Sequence, residues 1–122
     1  MEEAGRLEVP PLDELYELGI VVEQSKEPPW PVTLTAWASD GDEVTLIWTE
    51  TPAGVDLTWM SGDTLRLSLC RDGVHKIWVR KSGGTITISV RSWYREVGGG
   101  VAITIGERVT VADQLLTGDG RW

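Results

Sequence analysis

Val44-Thr45-Leu46-Ile47-Trp48 and, at a period of eleven, Val55-Asp56-Leu57-Thr58-Trp59 share the pattern Val-x-Leu-x-Trp. Successive side chains of a strand point to opposite faces, so each copy turns Val, Leu and Trp to one side. The two copies predict adjacent antiparallel strands joined through Pro52-Ala53-Gly54. The alternation continues outward: Leu65, Leu67 and Leu69, then Ile77 and Val79, then Ile86, Ile88 and Val90, then Val101, Ile103 and Ile105 share the apolar face. Trp48 and Trp59 belong to that set and are expected to be mostly buried packing residues.

Turn signals punctuate these segments at Asp40-Gly41, Ser61-Gly62-Asp63, Asp72-Gly73, Ser82-Gly83-Gly84 and Gly98-Gly99-Gly100, the last read as a hairpin loop. The intervals are too short for helices. Strands are expected near 32–38, 43–49, 55–60, 64–70, 74–81, 85–95, 101–105 and 107–111, with a further one between Gly19 and Gln24. Pro10-Pro11 opens a helix over Leu12 to Leu18, with Asp13 and Glu14 at its positive end and Gly19 as its stop. Thr110 and Asp113 stand at capping-box spacing before Leu115, Leu116 and Gly118, which predicts a second short helix. Pro28-Pro29-Trp30-Pro31 reads as a stiff, extended connector.

The fold class is therefore mainly β: an antiparallel meander forming a curled sheet, sandwich or partly open barrel, with short N-terminal and C-terminal helices. A chain of 122 residues suits a single domain. Residues 1–31 supply the helix, a strand and the Pro-rich connector, 32–111 the antiparallel β core, and 112–122 the short helix and tail.

Charge is unevenly placed. Residues 1–61 carry thirteen acids and two bases, whereas 62–122 carry six acids and nine bases. The net charge of −8 repels nucleic-acid phosphates and anionic lipid, so neither direct nucleic-acid binding nor membrane association is expected. The start Met1-Glu2-Glu3 lacks a secretory pattern and no apolar run is long enough to span a bilayer, so the chain is read as cytoplasmic. One cysteine, Cys70, and one histidine, His75, leave no disulfide framework and no multi-histidine metal site.

No catalytic residue, metal or cofactor is expected. His75 alternates with Ile77 and Val79 and reads as a half-buried structural residue, and Cys70 as an inert thiol. Gly98-Gly99-Gly100 lacks the Lys and Ser/Thr of a phosphate loop, and Asp40, Asp42 and Glu43 lack the remaining ligands of an EF-hand loop.

Three tryptophans fall out of phase with the apolar face. Trp37 alternates with Thr33 and Thr35, Trp78 with Lys76 and Arg80, and Trp93 with Arg91 and Arg95. Two binding readings follow. In the leading one, Trp37 is an aromatic anchor beside Asp40, Asp42 and Glu43, and the chain docks onto a basic protein partner, such as a toxin or nuclease, and neutralises it, as immunity proteins and antitoxins do. In the alternative, a barrel or sandwich binds a sugar-like or anionic small molecule through Trp78, Arg80, Arg91 and Trp93.

Overall fold

The computed structural model describes residues 7–50, 53–94 and 97–117. Met1 to Glu3, Pro52, Arg95 and Gly118, which entered the sequence reading, lie outside them.

Among the described residues one helix and nine strands follow in order: α1 (Leu12–Glu17), β1 (Val21–Gln24), β2 (Val32–Trp37), β3 (Glu43–Glu50), β4 (Ala53–Ser61), β5 (Thr64–Asp72), β6 (Val74–Ser82), β7 (Thr85–Tyr94), β8 (Val97–Ile105) and β9 (Val109–Thr117). They form two antiparallel sheets, ordered β1-β2-β3-β4-β5 and β6-β7-β8-β9. The molecule is mainly β, and the sheets do not close into a barrel. Between them lies a core containing Leu34, Leu46, Trp48, Leu57, Ile77, Ile88 and Ile103, each at most 2% exposed. All but Leu34 come from the alternation read above. Leu15 of α1 is fully buried with them, and Leu12 and Leu18 pack against the core at its two ends.

Gly73 carries the chain from one sheet to the other. It alone separates β5 from β6, and its φ of 70° lies where a Cβ is disfavoured. Its N–H donates to Ala53 O and its carbonyl accepts from Trp93 N–H, so this corner is bonded to both sheets. Asp72-Gly73 is thus an inter-sheet corner and not a hairpin turn. The division also sorts charge, since residues 20–72 hold nine acids and three bases, and 74–117 three acids and six bases.

The structure corrects four expectations. The C-terminal helix is strand β9: Val109, Val111 and Asp113 face Ile105, Ile103 and Val101 in unbroken register with β8, and that ladder outweighs a capping-box spacing. Asp113 pairs with Arg71 instead of capping a helix. Gly98-Gly99-Gly100 lies inside β8, opposite Arg91, Ser92 and Trp93, and is buried there. Pro28-Pro29-Trp30-Pro31 is no extended connector. It holds a cis Pro28–Pro29 bond and Trp30 at φ 55°, and Ser25 N–H donates to Pro31 O, which closes the β1–β2 turn. Finally, Leu65 is 55% exposed. Arg66 is an extra residue in β5 where the register shifts between Trp59 and Met60, so Leu67 and Leu69 face inward while Leu65 is flipped out.

Candidate functional site

At the end of the first sheet, register puts Trp37, Glu43, Met60 and Leu65 side by side across β2, β3, β4 and β5. Paired residues of antiparallel strands share a face, so all four point away from the core. Trp37 is 50% and Leu65 55% exposed, and Met60 is half-buried between them. The row is an apolar strip interrupted by one carboxylate. The sequence reading found Trp37 and Glu43 but missed Met60 and Leu65, because the unbroken Leu-x-Leu-x-Leu pattern carries no sign of the bulge at Arg66.

The β2–β3 turn shapes the acidic border of this strip. Ala38 N–H donates to Asp42 O at 2.9 Å, and Asp42 N–H donates to the Asp40 Oδ1 at 3.0 Å. The turn is also tied to the second sheet, since Ser39 and Asp40 N–H groups donate to Gly106 O and Glu107 O. Asp42 does more than carry charge. Its Oδ2 accepts the Trp59 indole N–H at 2.9 Å. That bond lowers the Asp42 pKa below its ordinary value, helped by a hydrogen bond from Ser61 and by Arg66. Arg66 itself lies over the Trp59 ring, 5.8 Å from its centroid. Trp37, Asp40, Asp42 and Glu43 are therefore brought together at one end, with Asp42 engaged in holding Trp59.

The alternative set lies on the other layer. Trp78 faces Ser89, Lys76 faces Arg91 and Arg80 faces Thr87, all on the outer side of the second sheet, and Trp93 follows Arg91 on the same side. Trp78, Arg80, Arg91 and Trp93 thus share a face, while Trp37 is on the other sheet. Lys76 Nζ and Arg91 Cζ sit 5.3 and 5.4 Å from the Trp78 ring centroid.

His75 is half-buried, as expected, at the bulge between Val74 and Lys76. Burial, then Arg91 and Lys76, push its pKa down. Cys70 is exposed on the polar face, with its thiol bonded to Asp56 Oδ1, which raises its pKa and holds it in the unreactive thiol form. A concavity of about 500 Å³ opens between β5 and β9, lined by Trp59, Leu67, Leu69, Val111 and Asp113, the last of which pairs with Arg71. Among the described residues no helix is long and apolar enough to cross a membrane, and no three His, Cys, Asp or Glu side chains gather as metal ligands.

No family model matches the sequence, and no curated protein sequence matches it significantly. The fold is nonetheless shared. It superposes on a chain of the solved contact-dependent growth inhibition toxin–immunity protein complex from Klebsiella pneumoniae 342 with a TM-score of 0.74. The match covers 90% of this chain and 97% of that one at 14% identity.

Proposed function

We propose that this chain is an immunity-type inhibitor, working in the cytoplasm, that docks onto a basic toxin and blocks it without turning anything over. The observation that carries the reading is the likeness over nearly the whole chain to a component of a toxin–immunity protein complex. The exposed strip supplies the kind of surface such docking uses. Trp37 and Leu65 offer apolar anchors, and Asp40, Asp42 and Glu43 beside them steer a cationic partner.

Growth rescue tests the class: cells producing a toxin domain encoded beside this gene should survive when the chain is co-expressed, and failure to rescue or bind any such domain refutes it. Stopped-flow association tests the surface. Asp40→Asn with Glu43→Gln should slow association several-fold at low salt and flatten its salt dependence, because rim charges act on the encounter rate. Asp42 is spared in that variant because it holds Trp59. Trp37→Ala should instead speed dissociation by about tenfold or more. Unchanged rates in both variants would place the interface elsewhere.

A further inference from the structure

The outer face of the second sheet carries a recess as well as charge. One row across its four strands reads Trp78, Ser89, Ala102 and Ala112, so a bulky ring is followed by three small side chains. These residues, together with Val90, Arg91 and Val101, line a groove of about 320 Å³. Neighbouring rows on one face of a sheet are roughly 7 Å apart. The row on one side contains Lys76 and Arg91, and the row on the other contains Arg80. Among the described residues on the outer face of these four strands, every charged side chain is basic. Glu8, bridged to Lys76 at the sheet edge, places a carboxylate at its border.

We propose that this face binds a small organic anion with a flat ring, of the size of a nucleoside monophosphate. The volume lies at the small end of ligand pockets, and its lining is mostly apolar with a few convergent polar groups. A ring laid on the Ser89–Ala102 floor meets the Trp78 side chain, and its phosphate or carboxylate reaches the guanidinium groups flanking the row. A polyanion is disfavoured by the chain's net charge of −8, which does not oppose a single small anion seated among local cations. This site is on a different sheet from the Trp37 strip, so it stands independently of the inhibitor reading.

Titration of the 15N-labelled full chain with AMP, adenosine and inorganic phosphate tests it by NMR. AMP should shift the Trp78 indole N–H and the amides of Ser89 and Ala102, with an apparent Kd below about 1 mM. Adenosine and phosphate should each bind about tenfold more weakly, since each supplies half of the recognition. Trp78→Leu should abolish the shifts. Arg80→Gln, at an exposed position that leaves the fold intact, should weaken binding several-fold. The proposal is overturned if no shift is seen at 10 mM AMP, if phosphate alone binds as well as AMP, or if the shifts centre on Trp37 and Trp59. It is likewise overturned if a poly-glutamate peptide displaces AMP more effectively than AMP binds.

Discussion

Strands β3 and β4 carry the same five-residue pattern, yet their tryptophans have different fates. Trp48, at the centre of its sheet, lies between Val32 and Val55, both buried, and is 1% exposed. Its indole N–H is buried with no acceptor among the described residues. Trp59 lies between Val44 and Leu67, next to the Arg66 bulge, and is only half-buried. Its N–H reaches outward to Asp42. An identical local pattern therefore sets the face a side chain takes, while position within the sheet sets how deeply it is covered and whether its polar atom finds a partner.

The contrast is sharpest in stability. Trp48→Ala should cost about 3–5 kcal/mol by denaturant unfolding, because the cavity lies where nothing can collapse into it. A loss under about 1 kcal/mol would deny its place in the core. Trp59→Ala should cost less, about 2 kcal/mol, since solvent and the Arg66 side chain can fill the rim. Equal losses at the two sites would erase the distinction.

The bulge gives a finer test on the neighbouring strand. Leu67→Ala should destabilise by about 1–2 kcal/mol, whereas Leu65→Ala, two residues away, should stay within about 0.5 kcal/mol. Matching effects would mean that the register runs straight through Arg66.

The smallest expected effect is on acid sensitivity. Asp42 titrates below its ordinary range in the folded chain, so its contribution to stability is present above the unfolded-state value and is lost as pH falls through the folded one. Trp59→Phe removes the largest cause of that shift. The Asp42 carboxyl resonance should then titrate closer to the usual carboxylate range, and an unmoved titration would show that Ser61 and Arg66 suffice.

Much of the fold was legible because one face of each sheet is buried and strands alternate with a period of two. Strands β1 to β7 and the Leu12 helix appear close to their expected places, whereas β8 begins four residues before the expected 101 and β9 overlaps the expected 107–111 only over Val109 to Val111. What failed was decided by pairing. The pattern predicts a strand near 107–111 and a helix beyond it on the Thr110 and Asp113 spacing, but only the β8 partner reveals that the ladder runs on to Thr117. Gly98-Gly99-Gly100 looks like a loop until Trp93 and Arg91 are seen opposite it. At the Trp37 strip, charge and the out-of-phase tryptophan were readable, whereas Leu65 joins it through a bulge that leaves no mark on the alternation.

Every strand pairing joins neighbours in the chain, so each hairpin closes through a short connection. The bonds from Ser39 to Gly106 and from Asp40 to Glu107 are different, because each encloses about 67 residues. Closing so long a loop is entropically worthwhile only once both sheets exist to reward it. The tether of the Asp40–Asp42 turn to the second sheet is therefore expected to form after the hairpins, although the turn's own bonds are local. A chain that has closed its hairpins but not this tether would leave the acidic turn unanchored to the second sheet.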